Sequence, residues 1–128
     1  MNSVDQVLLA LTAWRENRGG GLKGMQSVIN VICNRAKKRN TSPYEECVRP
    51  WQFSSITAKG DPELTLWPAP SDEQFSTAQT LATLAGRNEL VDITGGATFY
   101  YALSMKTPPS WAASMTKTVE IQNQAFFK

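Results

Sequence analysis

Histidine is absent from all 128 residues of this chain. Without an imidazole the chain can form neither a Ser-His-Asp triad nor a Cys-His pair, nor a zinc site with histidine ligands. The two cysteines, Cys33 and Cys47, are too few for a disulfide framework or a four-thiolate metal cluster. We therefore expect no metal and no other cofactor, and carboxylate acid/base chemistry is the main catalytic option that is left.

Strong charge and long apolar runs are also missing. The formal net charge of +2 is too small to indicate a nucleic-acid partner. The apolar run at residues 7–14 is too short to span a bilayer, and residues 1–6 lack the basic region of a signal peptide. We therefore expect synthesis in the cytoplasm, no stable membrane insertion, and export by a route that this sequence does not supply.

Helical periodicity dominates the first half of the chain. The spacing predicts a first helix from about Ser3, with Ser3 as its N-cap and Gln6 completing a capping box. Further helices are predicted over residues 22–38, 43–48 and 71–85. The expected core stripe of the first helix comprises Val4, Val7, Leu8, Leu11 and Trp14, and that of the second comprises Met25, Val28, Ile29, Ile32 and Ala36.

Three amides follow one another at four-residue spacing on the second helix. They are Gln26, Asn30 and Asn34. The pattern favours a hydrogen-bonded polar seam between helices over direct contact with a substrate.

The second half of the chain carries turn signals and β-rich segments. Residues 51–55 are predicted to be extended or a loop, residues 62–67 to hold a helical turn, and residues 97–101 to form a strand. Residues 118–122 and 125–127 give a weak hairpin signal around Asn123-Gln124. With no repeat or linker, the prediction is one domain over residues 1–128, an α+β fold that is mainly helical with a small β-hairpin or sheet.

Glu16 stands where the first helix ends and three glycines begin. It lies with Leu9 and Thr12 about 140° from the predicted core stripe. A carboxyl that acts as an acid near neutral pH needs partial burial to raise its pKa, and Arg15 and Arg18 would oppose this if they point at it. Cleavage of a glycosidic bond is the leading chemistry for such a group, and a solvated charge is the alternative.

Several motifs together resemble the SleB-type cell-wall hydrolases, the family of the spore-cortex-lytic enzymes. They lie, in order, at residues 14–19 (WRENRG), 24–28 (GMQSV), 34–35 (NR), 52–54 (QFS), 95–101 (GGATFYY), 105–106 (MK), 109–111 (PSW) and 126–128 (FFK). The resemblance covers nearly the whole chain. It implies a lysozyme-like fold of the lytic transglycosylase type that acts on peptidoglycan.

The resemblance also implies the site residues. It makes Glu16 the catalytic residue, and it places six others in the substrate cleft: Gln52, Phe53, Ser54, Thr98, Tyr100 and Tyr101. Phe53 and Tyr101 could equally be core residues. Each of three tryptophans is either a sugar-stacking platform or a core residue: Trp51, Trp67 and Trp111.

Two positions depart from the family pattern. The family often has an acidic residue where this chain has Gly20-Gly21, and often a histidine where Phe99 stands. Histidine is therefore not required for the expected role, and the pH dependence could differ.

The expected function is cleavage of the β-1,4 bond between N-acetylmuramic acid and N-acetylglucosamine in bacterial cell-wall lysis. A lytic transglycosylase with one catalytic glutamate is the first reading; a hydrolytic muramidase and a glycan-binding protein without turnover are the alternatives. We expect a monomer that needs no cofactor and no nucleic acid, a stand-alone domain similar to a phage endolysin, acting on peptidoglycan at the cell wall or in the periplasm.

Overall fold

The computed structural model describes residues 1–128, with five helices followed by a small antiparallel sheet. The helices are α1 (Ser3–Asn17), α2 (Gly21–Arg39), α3 (Pro43–Val48), α4 (Ser54–Thr57) and α5 (Glu73–Gly86), and the strands are β1 (Phe99–Ala102), β2 (Lys117–Ile121) and β3 (Gln124–Phe127). Short 3₁₀ turns occupy Arg18–Gly20, Pro62–Thr65 and Ser110–Ser114. None of the helices combines the length and the apolar character that crossing a membrane requires.

Two helix caps lie one residue away from their predicted positions. The N-cap of α1 is Asn2, whose side chain accepts a hydrogen bond from the backbone N–H of Asp5. The side chain of Asp5 in turn accepts one from the backbone N–H of Asn2, which completes the capping box. The cap of α5 is Asp72 rather than Ser71. The prediction of Ser3 was wrong because asparagine, aspartate and serine cap helices about equally well, so that residue type cannot choose between neighbours.

The predicted core stripe of α1 is wrong over its first half. Val4 and Val7 are 49% and 58% exposed, whereas Leu9 and Thr12 are fully buried. Because α2, α3 and α5 all pack against α1, its second half is enclosed on several sides. The face that carries Glu16 is therefore directed into the protein and not towards open solvent.

The stripe predicted for α2 is confirmed, since all five of its residues are buried. Four of them, all except Ala36, form the main hydrophobic core together with residues of α1, α5 and the 47–53 segment. Cys47 is buried in it and Cys33 is half-buried at its edge, both as free thiols. Burial raises the pKa of Cys33 to about 11 and that of Cys47 to about 12, so neither is a ready nucleophile.

The amide seam on α2 is structural, as predicted, but its partner is a loop and not another helix. Gln26 and Asn30 each donate to the carbonyl of Val91, at 2.9 and 3.2 Å. Asn34 donates to the carbonyl of Ala97 at 2.9 Å. These bonds fix the segment that leads into β1 along the side of α2.

The sheet has the strand order β1-β3-β2, with antiparallel pairs throughout. The predicted hairpin is confirmed as β2 and β3, and the predicted strand at 97–101 begins two residues later, at Phe99. Successive side chains of a strand point to opposite faces. Tyr100 packs against Phe126 and the helices, while Tyr101 packs against Phe127 and Trp111 on the other face.

The segment between α3 and α5 is only partly as predicted. The helical turn expected at 62–67 is present at Pro62–Thr65. The expectation of an extended segment or loop over residues 51–55 is wrong at its end, because α4 begins at Ser54. This short helix brings its first turn against the end of α1.

Candidate active site

The carboxyl group of Glu16 is held by hydroxyl groups from two distant parts of the chain. Ser55, in the first turn of α4, donates from Oγ to Oε2 at 2.7 Å. Tyr100, on β1, donates from its phenol to Oε1 at 3.0 Å. Each oxygen of the carboxyl therefore has one donor, and the group has a defined orientation.

The surroundings of Glu16 raise its pKa above the ordinary value. Burial is the largest cause, because it disfavours the charged form, and the negative charges of Asp61 and Glu63 add to it. The hydrogen bonds from Ser55 and Tyr100 act in the opposite direction but do not cancel the effect. Glu16 consequently keeps its proton to a higher pH than an exposed glutamate, as a general acid requires.

Arg15 is turned away from Glu16 towards the 55–67 segment. Its Nη1 and Nε donate to the carbonyls of Ser55 and Leu66, at 3.0 and 3.1 Å. Its guanidinium lies over the ring of Trp67, 4.7 Å from the centroid. This arginine ties α4, through Ser55, to the loop at Leu66, and it does not hydrogen-bond to the carboxyl of Glu16.

Arg18 is likewise engaged elsewhere. It forms a two-pronged ion pair with Glu63, at 2.5 and 3.1 Å, and its guanidinium lies 4.2 Å from the ring centroid of Trp14. The arginines that flank Glu16 in sequence therefore do not ion-pair with it, and Glu16 remains free to be protonated.

Arg35 binds the backbone immediately before β1, the strand that carries Tyr100. Arg35 is only 6% exposed, and its Nε donates to the carbonyl of Thr98 at 2.5 Å. Its guanidinium lies between the rings of Phe53 and Phe99, 5.4 and 5.0 Å from their centroids. Burial and the nearby charge of Glu16 raise the pKa of Tyr100 well above its ordinary value, so the phenol stays a hydrogen-bond donor.

Of the seven residues predicted for the site, the structure brings Glu16 and Tyr100 into direct contact. Phe53 is 1% exposed and belongs to the main core, the other role considered for it. Thr98 is also buried, and its backbone carbonyl accepts the hydrogen bond from Arg35. Tyr101 stacks on Phe127 at 5.6 Å, on the face of the sheet opposite to Tyr100.

The QFS motif directly precedes Ser55 in the chain, but its predicted residues do not hydrogen-bond to Glu16. Gln52 is half-buried. Ser54 is exposed and donates to Asp61 Oδ2 at 2.6 Å. The hydrogen bond to Glu16 comes from Ser55, which the sequence analysis missed. Its position next to the motif was the only available signal. Because the segment was predicted as extended or a loop, the direction of its side chains could not be predicted.

Two tryptophans of uncertain role are not core residues. Trp67 is 71% exposed and Trp51 is 96% exposed. Trp67 lies over Arg15, whose Nη1 donates to the backbone carbonyl of Ser55, the residue that binds Glu16. Trp111 is half-buried in the aromatic cluster with Tyr101.

Comparisons with known proteins agree with the fold and show the family. A family model described as Cell Wall Hydrolase matches residues 19–127. The solved catalytic domain of the germination-specific lytic transglycosylase SleB from Bacillus anthracis superposes with a TM-score of 0.76 at 22% identity, over 100% of this chain and 97% of that one. No match was found among curated proteins. The predicted lysozyme-like fold is therefore confirmed. The residues matched by the family model include Ser55 and Tyr100, but the match begins three residues after Glu16.

Proposed function

Since the chain belongs to the cell wall hydrolase family, we propose that it degrades peptidoglycan as a lytic transglycosylase, with Glu16 as its single acid/base residue. The observation that carries this proposal is the environment of Glu16: a half-buried carboxyl with a raised pKa, oriented by Ser55 and Tyr100. The SleB domain of the same fold is described as a lytic transglycosylase.

In the first step, protonated Glu16 gives its proton to the oxygen that links N-acetylmuramic acid to N-acetylglucosamine. The bond from this oxygen to the muramic acid C1 breaks, and N-acetylglucosamine leaves with a free hydroxyl. The acetamido group of the muramic acid residue stabilises the positive charge at C1. No second carboxylate is needed for this step.

In the second step, the Glu16 carboxylate takes the proton from the 6-hydroxyl of the same muramic acid residue. The freed oxygen attacks C1 and closes an anhydro ring, and Glu16 is protonated again for the next cycle. Ser55 and Tyr100 donate to the carboxylate between the steps, because hydrogen bonds to the charged form stabilise it. The two hydroxyls thus limit how far burial raises the pKa, so that Glu16 can both give and take a proton.

The test is the digestion of purified sacculi with analysis of the products by mass spectrometry. Muropeptides with anhydro ends are expected from the wild-type protein. The Glu16→Gln variant should lose activity by about 10²–10⁴-fold, the range for a general acid/base. Near-full activity of Glu16→Gln would show that another residue is the catalyst.

Hydrolysis by a muramidase is the second candidate, favoured by one observation. The carboxylates of Asp61 and Glu63 lie close enough to Glu16 to raise its pKa. Glu63 is held by Arg18. Asp61 accepts hydrogen bonds from Ser54 Oγ and from the backbone N–H of Glu63, which lower its pKa and keep it charged, and it is half-exposed, as a carboxylate that activates a water molecule must be. Reducing ends in the digest, together with a large loss of activity in Asp61→Asn, would support this reading over the anhydro route.

The proposed partner is the glycan strand of peptidoglycan, cleaved by the monomeric protein at the cell wall. A glycan-binding protein without turnover is the remaining alternative. It would bind sacculi yet leave the turbidity of a cell-wall suspension unchanged.

A further inference from the structure

Arg35 is a buried cation without an acidic partner of its own. Only 6% of the residue is exposed. Its Nε donates to the backbone carbonyl of Thr98, but its Nη1 is buried and meets no hydrogen-bond acceptor. No carboxylate forms an ion pair with it. Because a buried charge without a counter-charge lowers stability, packing alone does not account for an arginine at this position.

The guanidinium of Arg35 lies where the two segments that carry the hydroxyl donors of the candidate site come together. It is 5.4 Å from the ring centroid of Phe53, which precedes Ser55 by two residues in the chain. It is 5.0 Å from the ring centroid of Phe99, which directly precedes Tyr100. Each donor to the carboxyl therefore follows closely after a residue that packs on this guanidinium.

Of the two carboxyl groups whose charge acts on Arg35, only one is without a cation. Glu46 is fully buried, but it is already paired with Arg39 and Arg49, at 3.1 and 3.2 Å. Glu16 accepts hydrogen bonds from neutral hydroxyls alone. The carboxylate that Glu16 becomes when it loses its proton is therefore the available counter-charge for Arg35.

The charges around Arg35 agree with this pairing. Burial lowers the pKa of Arg35, and the nearby charge of Arg39 acts in the same direction. Tyr100, Glu46 and Glu16 oppose the effect. Since the attraction between two opposite charges is mutual, the guanidinium must favour ionised Glu16 to the same extent as Glu16 favours it.

The other charged groups that face Glu16 do not supply this stabilisation. After burial, the negative charges of Asp61 and Glu63 raise its pKa further. Arg15 binds the backbone of the 55–67 segment, and Arg18 is paired with Glu63. The cation that favours the carboxylate thus comes from α2 and from none of these neighbours.

We propose that Arg35 is a positioning residue for the reaction, a buried counter-charge that stabilises the Glu16 carboxylate between the acid step and the base step. This inference rests on the proposed function. Burial favours protonated Glu16 before the first step, and the charge of Arg35 limits the cost of the carboxylate after it. Arg35 acts through Glu16 and does not contact the substrate.

The test separates the charge of Arg35 from its packing. Arg35→Met removes the charge, so the pKa of Glu16 should rise and the alkaline limb of the kcat/KM profile should move to higher pH. We also expect kcat to fall by about tenfold. Arg35→Lys loses the planar group and the Nε donor but keeps a cation, so its pH profile should stay at that of the wild type. NMR titration of the Glu16 carboxyl carbon and cell-wall digestion over a pH series measure these effects.

Arg39→Met is the matched control. It removes a neighbouring cation of the same helix that is paired with Glu46, and it should leave the pH profile unchanged. An Arg35→Met profile that overlays that of Arg39→Met would overturn the proposal. Equal shifts in Arg35→Met and Arg35→Lys would also overturn it, because they would assign the effect to packing.

A second measurement needs no variant of Arg35 and applies if Arg35→Met does not fold. The nitrogen chemical shift of Arg35 Nε should change with pH as Glu16 ionises in the wild type, and Glu16→Gln should abolish this change. The exposed Arg87 serves as the reference, with no such response. An Arg35 shift with the same pH dependence in wild type and Glu16→Gln would contradict the pairing.

The two proposals fail in different ways. A wild-type protein that releases no muropeptides would overturn the enzyme assignment, and the NMR titrations would still decide whether Arg35 stabilises the Glu16 carboxylate. Active enzyme with the same Glu16 pKa in wild type and Arg35→Met would overturn the role of Arg35 alone.

Discussion

The phenol of Tyr100 donates a 3.0 Å hydrogen bond to Oε1 of Glu16, although 84 positions separate the two residues in the chain. With the 2.7 Å bond from Ser55 to the other oxygen, it fixes the carboxyl at the meeting point of α1, α4 and β1. The site therefore exists only once the sheet has docked on the helices.

Removing either hydroxyl should shift the pH dependence of catalysis. The bonds from Ser55 and Tyr100 lower the pKa of Glu16, so Ser55→Ala or Tyr100→Phe should raise it further. Since the acid step needs protonated Glu16, the alkaline limb of the kcat/KM profile should move to higher pH. We also expect kcat to fall by about tenfold through the loss of an orienting hydrogen bond. Turbidity assays on cell walls over a pH series would measure both effects.

Tyr44→Phe is the control for the tyrosine variant, because the Tyr44 side chain is exposed on α3 away from the site. A Tyr100→Phe profile that overlays that of Tyr44→Phe would mean that the hydrogen bond does not tune Glu16.

Glu16→Gln should change how stability depends on pH. The folded protein raises the pKa of Glu16 above its ordinary 4.5, so the stability associated with this group is present below that value and is lost as pH rises through the folded-state pKa. Glutamine does not ionise. The free energy of unfolding of Glu16→Gln relative to wild type should therefore increase as pH rises from the ordinary pKa of 4.5 through the folded-state pKa. Chemical denaturation at a series of pH values measures it.

Glu63→Gln provides a comparison of opposite sign. The hydrogen bond from Arg18 lowers the pKa of Glu63, so its contribution is present above the ordinary pKa and is lost on acidification. This variant should lose stability relative to wild type as pH rises. The prediction for Glu16 is wrong if the curves of unfolding free energy against pH for wild type and Glu16→Gln stay parallel throughout the series.

Trp67→Ala should weaken glycan binding more than it weakens the fold. The indole is mostly exposed, and its contact with the buried guanidinium of Arg15 contributes about 0.5–2 kcal/mol. If it forms a stacking platform for a sugar ring, KM for sacculi should rise about tenfold. Thermal melts and initial rates separate the two effects.

Leu66→Ala is the matched control, because it removes an exposed apolar side chain next to Trp67 and keeps the carbonyl that Arg15 uses. Equal changes of KM in the two variants would assign the effect to the loop and not to the indole.

Arg35→Lys should destabilise the protein despite keeping the charge. Lysine lacks the Nε donor to Thr98 and the planar group that lies between Phe53 and Phe99. We expect a loss of about 1.5–3 kcal/mol in the free energy of unfolding, the value of a hydrogen bond to a charged group. Urea denaturation measures it, with the exposed Arg87→Lys as control. A change no larger than that of the control would show that Arg35 does not anchor β1.

Local pattern was enough to find most of the secondary structure. The capping box at Ser42 and Glu45 predicted the bounds of α3 correctly, and the period of Met25, Val28 and Ile32 predicted the buried side of α2. Such features depend on residues within a few positions of one another. The N-caps at Asn2 and Asp72 were missed by one residue because the competing residues have equal preference.

Burial of α1 could not be read from its own sequence. Its apolar residues cover much of the helix surface, and which of them are enclosed depends on where α3 and α5 pack. This is why Val7 is exposed while Thr12 is buried. The same packing turns Glu16 inward, and the period alone did not predict this.

For the candidate site, the sequence alone narrowed the chemistry to be expected, and the tertiary structure decided the environment of Glu16. The absence of histidine restricts catalysis to groups such as a carboxyl, and the motif around Glu16 identified the residue to consider. Only the folded chain selects Ser55 over Ser54, directs Arg15 and Arg18 away, and brings Tyr100 to the carboxyl. The reason is physical: residue type sets which proton a side chain can carry, whereas the pKa depends on burial and on neighbours that are distant in sequence.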